Sequence, residues 1–449
     1  MFENIIGQAA VHQLGDDIVS GRAAPSMLFY GPCESGKGSA ALELSRVLSC
    51  EADPAPVYAP WKCECSSCER HRYLLHDDLL VLGNRSFLSE IAACGSVFLR
   101  NHTVSSCKKL FYRSLRKLQL RFSPVLAEDN DKMRKSASVL LSFDEKLNEL
   151  WTINAQTCDK AALEKLCKAL TEDAVVLEKD GLSALIPINH IRNASWWCRL
   201  APNGKRKTLI IENAENMREE ARNSLLKLLE EPPPNVSIVM TAQRREAIMP
   251  TILSRLRPYR FLKRDSASEK EVIRLVFKDT LNEITGKNQG SLISAYLESF
   301  APQSTEKMYP LAAWFIVSLA RITAISVKKS EGKQIPSVVS ALGERYAQIA
   351  ETLKLERTLT SAGVIKIVIA QSNNFEDDSF PSFMKICLEL ICDVTRTSED
   401  PRFIVYNDAF KKYTGEAVNS VEILNISKTT ALEGLLYNLK KALKEGKNG

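Results

Sequence analysis

The sequence predicts an α/β domain followed by an all-helical region, and three observations carry this expectation. "SMLFY" (Ser26 to Tyr30) is a short apolar run stopped by Gly31 and Pro32, which reads as a buried strand. The "GSAALELSRVLSC" stretch behind it has apolar residues at helical spacing from Ala41 through Leu44 to Leu48, which reads as a helix. After Phe261 the chain turns helical: "ASEKEVIRLVFKDTL", "MYPLAAWFIVSLARITAISV", "PSFMKICLELICDVTR" and "ALEGLLYNLKKALKEG" are amphipathic or wholly apolar helices, and the tail "KEGKNG" is expected to be disordered.

A chain of 449 residues exceeds what one compact core holds, so two to three domains are expected. With 45% hydrophobic and 25% charged residues it has the composition of an ordinary soluble globular protein. No apolar run reaches bilayer-spanning length, so no membrane partner is expected. "MFENIIGQAA" has neither a basic leader nor a signal-like apolar core, so a cytoplasmic location is expected. In that reducing compartment twelve cysteines are thiols or metal ligands rather than a disulfide framework. The net charge of +6 permits nucleic-acid contact without arguing for it.

The turn between strand and helix, "GPCESGKGSA", carries the first chemistry. Gly31, Gly36 and Lys37 have the G-x-x-x-x-G-K spacing of a phosphate-binding loop, whose amides and lysine cradle phosphate charge at a helix N-terminus. The next residue should be Ser or Thr, whose oxygen ligates the magnesium ion. It is Gly38. Ser39 is one residue further on, where a helix turns the side chain about 100° away. The five residues Gly31, Gly36, Lys37, Gly38 and Ser39 thus form a nucleotide site whose claim to ATP is stronger than its claim to Mg2+.

A phosphate loop needs a second strand ending in carboxylates. "TLII" (Thr208 to Ile211) supplies the strand and is followed by Glu212 and Asn213. An active hydrolase would place Asp then Glu there, one for the metal and one to polarise the attacking water; Asn213 has no charge and cannot act as that base. A defect in each half of the magnesium site points to a dead or feeble hydrolase.

With these residues a family resemblance becomes visible. "FENIIGQAAVHQLGDDIVSGRAAPSMLFYGPCESGKGSAALELSRVLSCE" and "NSLLKLLEEPPPNVSIVMTAQRREAIMPTILSR" resemble the AAA+ core of bacterial DNA polymerase III clamp-loader subunits, and within that family the delta-prime subunit, whose magnesium residues are commonly degenerate. The match covers roughly residues 1 to 83 and 185 to 263. The resemblance implies an AAA+ P-loop domain over 1–263, a helical lid over 264–310 and an all-α collar for oligomerisation over 311–449. It also implies a hetero-oligomer with gamma/tau-like and delta-like subunits that loads a sliding clamp onto primer-template DNA as part of the polymerase holoenzyme.

The same resemblance gives Arg255 a role. In the family a Ser-Arg-Cys motif sends its arginine into the neighbouring subunit's ATP site, and such a finger is worth roughly 10³ to 10⁵ in rate. Ser254 and Arg255 match, with Leu256 in place of the cysteine and Arg257 and Arg260 close by.

Cys50, Cys63, Cys65 and Cys68 are a candidate zinc site, because four thiolates can close a tetrahedron around the metal. The resemblance places such a module here, spaced C-x8-C-x2-C-x2-C; this chain has a longer first gap and a single residue between Cys63 and Cys65. His71 and His76 flank the cluster as outside candidates, and the other eight cysteines are scattered.

Residues 84–184 are an insertion relative to the family pattern. In "SSCKKLFYRSLRKLQLRF", Leu110, Phe111, Leu115, Leu118 and Phe122 share a helical face. Lys108, Lys109, Arg113, Arg116, Lys117 and Arg121 lie largely elsewhere. That basic face reads as a surface for DNA or an acidic partner, or more plainly as the outer side of a solvated helix packing on its own domain.

Three functions follow. The first is a non-hydrolysing stator that lends Arg255 to a neighbour, the second a gamma/tau-like ATP-hydrolysing motor. The third, a small-molecule kinase using the same loop, is opposed by Asn213, the cysteine cluster and the helical tail. Nucleotide occupancy, stoichiometry and the insertion's role are not legible at this level.

Overall fold

The computed structural model describes residues 1–52, 59–127, 130–154, 158–183, 185–279, 291–300, 304–331, 342–346, 348–349, 353, 355, 360–372, 380–397, 402–422 and 426–445. Part of the tail expected to be disordered, residues 446–449, lies outside them. The chain divides into two compact units, Met1–Ala301 and Pro302–Gly449.

The first unit is built on five parallel strands: β1 (Ser26–Tyr30), β2 (Leu79–Leu82), β3 (Lys207–Ile211), β4 (Val236–Ala242) and β5 (Arg257–Arg260). Their order is β2-β3-β4-β1-β5, so β4 lies between the strand that precedes the glycine loop and the strand that precedes Glu212. Parallel strands are covered on both faces, which is why β1 and β3 are apolar runs rather than alternating ones. Alternation still sorts β3: Ile210 packs with Met27, Phe29 and Val239 against α1 (Ala9–Val19) and α2 (Lys37–Leu48), while Leu209 and Ile211 face the opposite layer.

That opposite layer is where residues 84–184 go. Their helices are α4 (Leu88–Arg100), α5 (Ser105–Gln119), α6 (Pro124–Ala127), α7 (Asp131–Lys135), α8 (Ala137–Thr152) and α9 (Lys160–Val176), and Phe98, Phe111, Leu115, Phe143 and Leu170 form one core with the sheet's Leu80, Leu82, Leu209 and Ile211. Each such side chain contributes about 1.5–3 kcal/mol by leaving water. Residues 84–184 are therefore part of the domain core. α10 (Ile188–Arg199) and α11 (Glu219–Glu230) complete this layer, and the unit ends with α13 (Ser266–Leu275), capped by Asp265 accepting from the Ser268 amide at 2.6 Å, and α14 (Leu292–Glu298).

The second unit is helical in its described residues, with helices at Ser304–Glu331, Ser361–Ser372, Phe380–Thr397, Arg402–Glu422 and Lys428–Glu445. Phe315, Met384, Phe410 and Leu432 are fully buried in its core. A parallel α/β P-loop domain followed by an all-α domain is the architecture expected from the sequence. No helix among the described residues is long and apolar enough to cross a membrane.

One backbone position holds the insertion to the sheet. Gly83 follows β2 with φ of +102°, and a Cβ there would stand 2.1 Å from the Glu212 carbonyl oxygen. Gly83→Ala is therefore expected to destabilise this unit by roughly 2–4 kcal/mol, read as a lower urea midpoint. An unchanged midpoint would contradict the packing described.

Candidate functional site

The glycine loop sits where the sequence places it, between β1 and α2. Gly36 caps α2 with φ of +91°, a left-handed conformation that favours glycine, and the free amides of the first helical turn follow it. Lys37 is buried and folded back on its own loop, donating to the carbonyl oxygens of Gly31 at 2.6 Å and Pro32 at 2.5 Å. Burial lowers its pKa, opposed by nearby acids including Glu215 and Glu212. Arg264 lies across the same loop, with Nε donating to the Ile6 carbonyl at 2.8 Å and Nη1 to that of Glu34. Beside the loop is a cavity of about 250 Å³ whose lining includes Cys33, Ser35, Lys263, Arg264 and Glu269.

The magnesium half of the site is built differently. Gly38 lies against Glu212: a Cβ at position 38 would stand 2.8 Å from Glu212 Oε1. The other carboxylate oxygen, Oε2, accepts a hydrogen bond from Arg121 Nη2 and lies 3.4 Å from Arg85 Nε. Arg121 also donates through Nε to the Gly83 carbonyl at 2.9 Å. Burial would raise the Glu212 pKa, but Arg121 and Arg85 more than offset it and hold the group below the ordinary carboxylate range.

Asn213 is in the left-handed region at φ of +49°, which asparagine tolerates. Its side-chain amide donates to the Asn84 carbonyl at 2.8 Å, away from any water-polarising role. Ser39 is exposed on α2. Magnesium does not fit these residues: position 38 offers no hydroxyl, Glu212 is already engaged by two guanidiniums, and Asn213 is no base.

The four cysteines come together as the spacing suggests. The Sγ atoms of Cys50, Cys63, Cys65 and Cys68 all lie within 4.8 Å of one another, with Cys50 3.7 Å from Cys63 and 4.0 Å from Cys65. A tetrahedron with bonds of about 2.3 Å has edges of about 3.8 Å, so this set can hold a metal ion. Cys65 caps α3 (Ser66–Arg72), and the amides of Cys68 and Glu51 both donate to its sulfur at 3.4 Å. Burial alone would raise its pKa; those amides help bring it down to about 7, which favours the thiolate that a metal needs. Fully buried Arg46 donates to Cys68 Sγ at 3.1 Å and is itself held by Glu43 and the Ala59 carbonyl.

His71 and His76 do not join the cysteine group. Their rings stack at 4.0 Å, and His76 is engaged through Nδ1 by the Asp78 amide and through Nε2 by Ser67.

Arg255 follows α12 (Pro250–Leu253) at the surface. Its guanidinium is 30% exposed and pairs with Glu230 at 2.5 Å, at the end of the "NSLLKLLE" helix.

Helix α5 packs on its own domain, as the plainer reading of its sequence expects, but its basic face is not simply solvated. Lys108 donates to the carbonyls of Trp151 and Ile153, Arg113 to those of His71 and Arg72, and Arg116 to that of Leu74. Lys109 lies over the Tyr73 ring, and Lys117 and Arg121 pair with Glu90 and Glu212. All six cations have partners within the chain, so this face is neither simply solvated nor laid out for nucleic acid. Sequence reasoning placed Arg121 on the basic face and passed over Arg85, and it missed the pairing of both with Glu212. The available signal was position: Arg121 lies three residues after Leu118 and beside Phe122, and a cation on an apolar face calls for a buried acid.

The parallel sheet and the glycine loop define an α/β protein of P-loop architecture, and comparison with known proteins narrows the class. Residues 104–265 match the family model described as DNA polymerase III, delta subunit. Over 95 residues the chain is 32% identical to DNA polymerase III subunit delta' of Pseudomonas aeruginosa, covering 21% of this chain and 29% of that protein. The match thus spans less than a third of that relative's length. A crystal structure of a DNA polymerase III gamma subunit-related protein from Thermotoga maritima aligns with 59% of this chain and 82% of its own, at 17% identity and a TM-score of 0.23. Over the matched residues the chain is similar to the delta and delta-prime subunits of DNA polymerase III.

Proposed function

We propose that this chain is a delta-prime-like stator of a clamp loader, a subunit that assembles with gamma/tau-like and delta-like partners without hydrolysing ATP itself. The observation that carries the reading is Glu212, the one acid left at the end of β3, engaged by Arg121 and Arg85 and packed against a glycine where a hydroxyl should be. A gamma/tau-like motor needs that carboxylate for metal and a base in place of Asn213. Arg255 is the complementary feature: held at the rim by an ion pair with Glu230 and by exposed hydrogen bonds to the Thr251 carbonyl and Ser254 Oγ, it can leave for a phosphate on a neighbouring subunit at modest cost, because exposed pairs are worth about 0–1 kcal/mol. In this reading the assembly works in the cytoplasm, loading a sliding clamp onto primer-template DNA. Lids and collars in the sense of the family fall at 264–310 and 311–449.

Arg255→Ala is expected to leave folding and assembly intact while ATP hydrolysis and clamp loading by a reconstituted complex fall by about 10³-fold or more. Lys37→Ala should matter far less. The reverse ranking would overturn the stator and favour a motor, as would steady ATP turnover by the isolated chain that Lys37→Ala abolishes.

The cysteine set fits zinc, with Cys50, Cys63, Cys65 and Cys68 as ligands and Arg46 offsetting part of the negative charge of four thiolates. When bound, zinc would cross-link the loop after α2 to α3; no reaction step needs it. Protein purified without chelator should carry about one zinc per chain. Arg46→Met should release that zinc to a chelator roughly 10–100-fold more readily. Elemental analysis finding no zinc would refute the assignment.

A further inference from the structure

We infer that the insertion supplies the chain's own substitute for the missing metal: the Arg121 guanidinium provides the positive charge that the β3 acid requires, making Glu212 part of a closed internal ion cluster. The cluster extends beyond one pair. Arg85 bridges Glu212 to Glu90, whose other oxygen pairs with Lys117. Arg85 and Arg121 both lie over the ring of Phe87, at 4.6 and 5.2 Å from its centroid, and the Phe87 amide donates to Glu178 at 2.8 Å. Three cations, Arg85, Lys117 and Arg121, thus stand against three carboxylates, Glu90, Glu178 and Glu212. Every member except Glu212 belongs to the insertion.

Charge balance explains why the two defects occur together. An isolated buried carboxylate is costly, so once no metal is held at Glu212 some other cation must face it. With Oε2 taken by Arg121, the carboxylate turns Oε1 toward α2, into space that a side chain at position 38 would fill. Gly38 and Arg121 are therefore two parts of one arrangement, although 83 positions separate them in sequence. Asn84 engages Asn213 in the same way, so the insertion covers both positions at which metal and base would act. None of this depends on whether Arg255 serves a neighbour.

The test is a double-mutant cycle read by thermal unfolding of the full chain. Arg121→Gln should lower the unfolding temperature of the first unit by roughly 5–10 °C, because it leaves a buried carboxylate short of its main partner. Glu212→Gln in that background should recover a large part of the loss, since the orphaned charge is then gone. Arg121→Lys, which keeps the charge but loses the forked donor, should lose distinctly less than Arg121→Gln and keeps the test open if the glutamine variant does not fold. Additive effects of Arg121→Gln and Glu212→Gln, or a lysine variant no better than the glutamine variant, would overturn the proposal. Either outcome is separable from failure of the stator reading, which is judged on Arg255 in the assembled complex.

Discussion

The contact on which the rest of the site depends is that between Arg121 and the buried Glu212 carboxylate. Glu212 stands at the end of β3, one strand away from the strand that leads into the phosphate loop, where the parallel sheet order concentrates ligand chemistry. A carboxylate there must be balanced. In this chain two arginines face it, and the close approach of Gly38 and the Asn213–Asn84 hydrogen bond are consistent with the proposal that they take the place of a metal.

Delivering Arg121 to this point requires the insertion to be a structural layer of the domain. Its helices share an apolar core with one face of the sheet, and Gly83 lets the chain leave β2 in contact with the Glu212 backbone. The phosphate loop keeps its shape under the same economy of internal contacts: Lys37 bonds to its own loop carbonyls and Arg264 braces the loop from the far side. The loop is thus braced by contacts within the protein, in keeping with the stator role proposed.

Much of this was legible in the sequence. Strands β1 and β3, helix α2 and the glycine loop were clear because their apolar runs and spacing are local signals. The missing hydroxyl and base were visible because one position decides each. The four cysteines met despite irregular spacing, since the turn at Pro60 to Cys63 and the helix cap at Cys65 bring the sulfurs round. What was not legible is the partnership of residues far apart in the chain. The cations of α5 looked like a solvated face because helical periodicity shows which side a residue occupies but not what lies opposite it. Their partners are backbone carbonyls and acids from 27 to 91 residues away, such as Glu90 for Lys117 and Glu212 for Arg121.

The most direct measurement is equilibrium binding of Mn2+ to the purified chain, followed by electron paramagnetic resonance with and without ATP. A carboxylate already neutralised from within should bind no manganese at millimolar concentrations, and ATP should not create a site. One ion bound per chain, lost on Glu212→Gln, would contradict the account, because Glu212 would then be a working metal ligand.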